Sequence, residues 1–180
     1  MRAYKRTPPV RRCANDLELM VMAATELHGR CMVEAVGQEW TAVTFVPSAT
    51  RGGPDHPVAA LARQVAGLGP ANRLLLAPGP GIAAKRVVRA DRFVVPAKYR
   101  ARTRDGHVLL VDDTWVSGGN IQSAAVALHD AGAARVTALC VGRWCDNGWT
   151  AHRALLDSCT DPYDPFVCPV PSGTCRLLSE

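Results

Sequence analysis

Asp112 and Asp113 stand side by side, and two spacers later the chain reads Val116-Ser117-Gly118-Gly119-Asn120. Backbone N–H groups of a glycine-containing loop that enters a helix converge on one point and favour an anion there. The carboxylates cannot pair with that anion, but one short loop away they are good acceptors for hydroxyl groups. A ribose 5-phosphate meets both demands. Thr114, Ser117 and Asn120 add side-chain donors around the same loop. The neighbouring sequence is suited to holding these groups. Val108-Leu109-Leu110-Val111 reads as a strand buried on both faces, as in a parallel sheet covered by helices. Ligands bind at the carboxyl ends of such strands. Ile121, Ala124, Ala125 and Leu128 recur at helical spacing, and Gly132 is a sound stop. An Asp-rich turn before a capped helix shares these residue types. The full order of strand, acids, loop and helix favours the ligand site.

This stretch resembles the PRPP-binding signature of type I phosphoribosyltransferases. Asp112 and Asp113 match its acids, and Ser117 and Gly118 match its loop. Asn120 stands where the family usually has Thr or Ser, and Val116 where Thr, Asp or Ser is commoner. Asn120 can still donate to a phosphate oxygen, without a compact hydroxyl. A second stretch carries a similar likeness. Trp40 to Val46 reads as the first sheet strand, then comes Pro47-Ser48-Ala49-Thr50-Arg51-Gly52-Gly53, then helical spacing at Val58, Leu61, Ala62 and Val65. It is similar to the pyrophosphate loop of the same family, most closely in its ComF-like subgroup. Ser48, Ala49, Thr50 and Arg51 are the diphosphate-loop candidates. Arg51 and the amides of Gly52 and Gly53 suit a diphosphate whatever the family name. His56 is expected to cap or line this loop.

Leu74-Leu75-Leu76 reads as a further strand, broken by Pro78-Gly79-Pro80-Gly81. Residues 82–106 are rich in Lys and Arg. The resemblance places a mobile lid here, with Lys85, Arg86 and Arg89 as the candidates to close over the leaving group. A solvated basic loop would look the same. Arg135 to Val141 completes the parallel set.

The resemblance implies an α/β fold, a mostly parallel sheet flanked by helices, with a Rossmann-like core and a Cys-rich C-terminal extension. The expected divisions are an N-terminal arm and helix (1–39), a phosphoribosyltransferase-like core (40–143) and the extension (144–180). It implies transfer of ribose 5-phosphate from PRPP to a nitrogen nucleophile with release of diphosphate. Mg²⁺ would accompany PRPP, and Asp112 and Asp113 would stabilise the developing oxocarbenium centre. The acceptor is not named by any motif. Homodimers are common in the family.

Composition is consistent with this picture. A chain of 180 residues can bury a real core. No apolar run reaches the length of a membrane span, and no secretory leader pattern opens the chain, so a cytoplasmic protein is expected. The net charge of +5 suits a polyphosphate and also nucleic acid. Residues 1–12 read as a loose basic arm, and Asn15 with Glu18 as a capping box for a helix carrying Leu17, Met20, Val21, Ala24, Leu27 and Cys31.

Seven cysteines in a reducing compartment argue against a disulfide framework. Cys13, Cys31 and Cys140 read as buried thiols. Cys145, Cys159, Cys168 and Cys175 crowd the end among aromatic residues. They lack close Cys-x-x-Cys pairs, so packing thiols in a coil on the sheet edge and a Zn²⁺ site both remain open. A non-catalytic reading also stands: a ComF-like sensor of PRPP or a nucleotide, or a protein associated with single-stranded DNA. A phosphatase or receiver-like use of Asp112 fits less well, because Asp55 and Asp91 are poorly placed to assist it.

Overall fold

A computed structural model describes residues 3–48, 53–83, 86–170 and 175. In chain order the elements are α1 (Arg11–Val36), β1 (Trp40–Phe45), α2 (Pro57–Ala62), β2 (Ala77–Pro78), β3 (Phe93–Val94), α3 (Arg100–Thr103), β4 (His107–Trp115), α4 (Gly119–Asp130), β5 (Arg135–Arg143) and α5 (Thr150–Ser158). The architecture is α/β. Strands β1, β4 and β5 form a three-stranded parallel sheet in the order β1-β4-β5.

The apolar run before the acids occupies the centre of that sheet, so both of its faces are covered. Val108 and Leu110 face one side, with Ile121, Ala124 and Leu128 of α4. Leu109 and Val111 face the other, with Val21 of α1 and Val58 and Leu61 of α2. All four residues of the run are fully buried. Burial of each such side chain contributes about 1.5–3 kcal/mol, which makes this strand the rigid axis of the molecule.

Two segments differ from the sequence reading. The triplet Leu74-Leu75-Leu76 forms no regular strand. It runs extended beside β1 through one bridge, Val43 to Arg73, and one hydrogen bond from the Leu74 amide to the Val43 carbonyl at 3.1 Å. Side chains take the remaining ladder sites: Arg102 Nη1 donates to the Arg73 carbonyl, and Asn72 Nδ2 to the Thr41 carbonyl. Further along, Ala77–Pro78 pairs antiparallel with Phe93–Val94 as a separate two-stranded ribbon.

The second difference is at the N-terminus. Helix α1 begins at Arg11, four residues before Asn15, and its N-cap, Val10, makes no side-chain cap bond. Glu18 instead accepts from Gln64 Nε2 at 3.0 Å. Residues 3–5 form a turn that buries Tyr4 against the sheet. The arm is thus held by one aromatic anchor that its basic composition concealed. Among the described residues, no helix is long and apolar enough to cross a membrane.

Candidate functional site

Strand alternation separates the two carboxylates. Asp112 lies on the α4 side and lines a cavity of about 240 Å³ with Thr114, Ser117, Gly118 and Asn120. Asp113 lies on the α1 side, only 3% exposed. It accepts from the Tyr4 hydroxyl at 2.5 Å and from the Lys5 ammonium. Their protonation diverges accordingly. Burial, then the Asp113 charge, pushes the Asp112 carboxyl up to about 7. Burial also raises Asp113, but hydrogen bonds from Lys5 and Tyr4 and the Lys5 charge outweigh it and leave that carboxyl below the usual range. Cys140 sits opposite Asp112 in register, and burial followed by the two carboxylates raises its thiol to about 12, which leaves it unreactive.

The loop after β4 has the geometry its glycines suggest. Gly118 is left-handed, φ 77°, and a Cβ there would stand 2.6 Å from the Trp115 ring. Gly119 begins the twelve-residue α4, and a Cβ there would meet the backbone of Arg86 and Val87 at 3.0 Å. The chain segment after residue 85 therefore lies directly over the helix start. Ser123 ties it down, donating to the Gly119 carbonyl at 2.5 Å and accepting from the Arg89 amide at 2.9 Å.

Arg92 is the residue sequence reasoning missed. It is 5% exposed, lines the cavity beside Asp112, and its Nε and Nη1 have no hydrogen-bond partner among the described residues. Its backbone is fixed by the hydrogen bond from the Gly79 amide to the Arg92 carbonyl at 2.8 Å. A Cβ at Gly79 would stand 2.3 Å from the Asp91 carbonyl oxygen, so this close pairing requires glycine. Buried guanidinium nitrogens without acceptors are costly, and such an arrangement persists where a ligand supplies the missing acceptors. In the sequence Arg92 was one basic residue among many, distinguished only by the apolar Phe93-Val94-Val95 that follows.

The other candidates are distributed unevenly. Arg86 lines the same cavity, with its backbone in the left-handed region at φ 59°. Arg89 turns away in a bidentate pair with Asp91 at 2.8 and 2.7 Å. Lys85 and the diphosphate-loop candidates Ala49, Thr50 and Arg51 lie outside the described residues. Ser48 is half-buried, two residues beyond the Val46 amide that donates to the Val111 carbonyl, and so stands at the same sheet edge as Asp112. His56 caps α2, its Nδ1 accepting from the Val58 amide at 3.2 Å. A wider cavity of about 530 Å³ adjoins the first through Arg86, Thr114 and Val116 and continues to Lys5, Arg143 and Trp144.

The cysteines of the C-terminal extension do not gather as a set of four. Cys145 is half-buried and Cys159 exposed, and neither joins Cys168 and Cys175, which meet His28 and Cys31 of α1. These four side chains form a cluster able to hold a metal ion. Nor is the extension a coil with its aromatics buried: it contains α5, and Trp149, Tyr163 and Phe166 are each more than half exposed. No known protein-family model matches this chain, and no curated protein matches it significantly in sequence.

Proposed function

We propose that the protein binds PRPP and acts as a phosphoribosyltransferase of the type I, ComF-like kind that its loop motif resembles. The observation that carries this reading is Arg92, a buried guanidinium with unpartnered nitrogens in the cavity that also holds Asp112 and the start of α4. An anion in that cavity would meet a helix N-terminus, two glycines and a cation, while a hydroxyl-bearing ring beyond it would reach an acceptor carboxylate.

In this reading the loop from Val116 to Asn120 and Arg92 hold the 5-phosphate, and Asp112 accepts from the ribose hydroxyls. Arg86 lies where the two cavities join and would face the leaving diphosphate. The basic side chains of Lys5 and Arg143 extend that electropositive path. Asp112 is the carboxylate present on the cavity that could meet a hydrated Mg²⁺, and hard oxygen donors of this kind suit that ion. When bound, Mg²⁺ would offset charge on the diphosphate. The rate would come from positioning and fixed charge, with the negative field of Asp112 and Asp113 stabilising the positive charge that builds up at the anomeric carbon.

A second reading, binding without turnover, draws on one observation. Asp113 is closed off by Tyr4 and Lys5, which leaves Asp112 as the open carboxylate at the site among the described residues. Calorimetric titration of PRPP with Mg²⁺ into the wild type, Asp112→Asn and Arg92→Ala tests the shared site. Magnesium-dependent binding that weakens at least tenfold in both variants is expected. No binding to the wild type overturns the phosphoribosyl reading, and salt-sensitive binding of single-stranded DNA would then direct attention to nucleic acid. Release of diphosphate in the presence of nitrogen acceptors separates transferase from sensor.

A further inference from the structure

We propose that His28, Cys31, Cys168 and Cys175 form a zinc site that fastens the C-terminal segment to α1. Their four ligand atoms all lie within 4.8 Å of one another. In a tetrahedral zinc site with bonds of about 2.0–2.3 Å, neighbouring ligand atoms stand about 3.5–3.8 Å apart. One edge already has that length, with Cys175 Sγ 3.6 Å from His28 Nδ1. Small side-chain rotations would bring in the rest.

The histidine is set for coordination. Its Nε2 lies 2.9 Å from the Pro165 carbonyl oxygen, which can only accept, so the proton must be on Nε2. In a neutral imidazole this leaves a bare lone pair on Nδ1, the atom that faces the sulfurs. Metal-bound histidines are commonly oriented in this way by a carbonyl behind the ring. His28 and Cys31 are three residues apart in α1 and therefore share one helical face, which presents half the ligand set preformed. His28, Cys31 and Cys175 are each buried, so the site is dry on most sides.

Two other uses of the cluster fit less well. A nucleophilic cysteine–histidine pair needs one sulfur and an approach for substrate, whereas three sulfurs converge here in a buried place. A disulfide would join two of the sulfurs and leave a third thiol and the oriented imidazole without a role. Zinc uses all four. Three thiols would release three protons to solvent on binding, and the resulting Zn(Cys)₃His centre would carry one negative charge.

Such a centre links segments far apart in sequence. The segment it fastens crosses α1 and the edge strand β5 and closes a cavity of about 130 Å³ lined by Val21, Cys140, Tyr163 and Val167. The Pro165 carbonyl accepts from His28 Nε2 at 2.9 Å, and Cys175 Sγ meets His28 Nδ1 at 3.6 Å. A metal would supply the stability that a short, irregular tail lacks.

Elemental analysis of the full chain, purified without chelator and without a polyhistidine tag, is expected to find about one zinc per chain. Cys31→Ser and Cys168→Ser should each lose it, while Cys145→Ser and Cys159→Ser keep it. Reconstitution with Co²⁺ should give the intense visible bands of a tetrahedral site and sulfur-to-cobalt charge transfer. Cys168→His retains four ligands, so it should keep the tetrahedral bands while charge transfer falls by about one third. That variant separates loss of a ligand from loss of the fold. A wild-type chain with neither zinc nor a tetrahedral cobalt spectrum overturns the proposal. Zinc retained in the double variant Cys31→Ser/Cys168→Ser overturns it too, as does a disulfide within the cluster in a non-reducing peptide map.

Discussion

Asp112 and Asp113 are consecutive in the chain but belong to opposite faces of the sheet, one open to a cavity with Arg92 and the other sealed under Tyr4 and Lys5. Period-two alternation along β4 makes this division unavoidable. It gives two chemically identical side chains different protonation and different work. Asp112 opens onto the cavity with its Oδ1 accepting from the Asp113 amide at 2.9 Å, and Asp113 is the post to which the N-terminal turn is tied.

Stability should therefore depend on pH in two separate ranges. Folded Asp112 keeps its proton up to about 7, whereas the unfolded chain releases it near the usual carboxylate value of about 4. The folded state thus binds more protons between these limits, so stability falls as pH rises through that range and levels off above it. Asp113 acts in the opposite sense. Its lowered folded value stabilises the protein above about 4, and that contribution is lost as pH falls below. Urea midpoints across pH 3–8 check both, where about pH 3 to 8 spans the two ranges. Asp112→Asn should flatten the upper slope and leave the acid loss in place.

Tyr4→Phe removes a buried hydrogen bond to a charged acceptor, which typically costs about 1.5–3 kcal/mol. The acid loss should also move to higher pH, because Asp113 would keep only its remaining partners. A thermal melt at neutral pH and its repeat in acid measure the two effects. An unchanged acid limb would mean that Tyr4 packs on the sheet without holding the carboxylate.

Arg92→Met exchanges a buried guanidinium, two of whose nitrogens lack a partner among the described residues, for an apolar side chain of similar length. The variant should be more stable than the wild type by about 1–3 kcal/mol, since the desolvation cost disappears. It should also lose binding of phosphate and PRPP. Stability up and affinity down together identify a group held in place for a ligand. Loss of both would make Arg92 a structural residue.

Gly119→Ala places a methyl 3.0 Å from the backbone of Arg86 and Val87. The overlying segment must lift, which should cost about 1–2 kcal/mol and weaken anion binding through the displaced Arg86. Ala at Gly118 adds the strain of a left-handed backbone to a clash with Trp115 and should cost more. Chemical denaturation of the two variants, with phosphate titrations alongside, ranks them.

Local pattern was enough for some of this molecule. An apolar run ending in two acids and a glycine loop has few ways to fold, and β4, its loop and α4 take the expected form because strand burial, turn chemistry and helical spacing agree there. His56 caps α2 for the same local reason. The triplet at 74–76 did not become a regular strand, because what it pairs with depends on Arg102 and Asn72, which no local pattern places beside it. The anchoring of Tyr4, the orphaned guanidinium of Arg92 and the meeting of His28 and Cys31 with Cys168 and Cys175 join residues far apart in sequence. Residue types and spacing alone determined where a glycine loop, a helix start and a carboxylate would meet. Only the packing of helices and termini on the two faces of the sheet decided which carboxylate stays open, which arginine is buried beside it and which cysteines gather at His28.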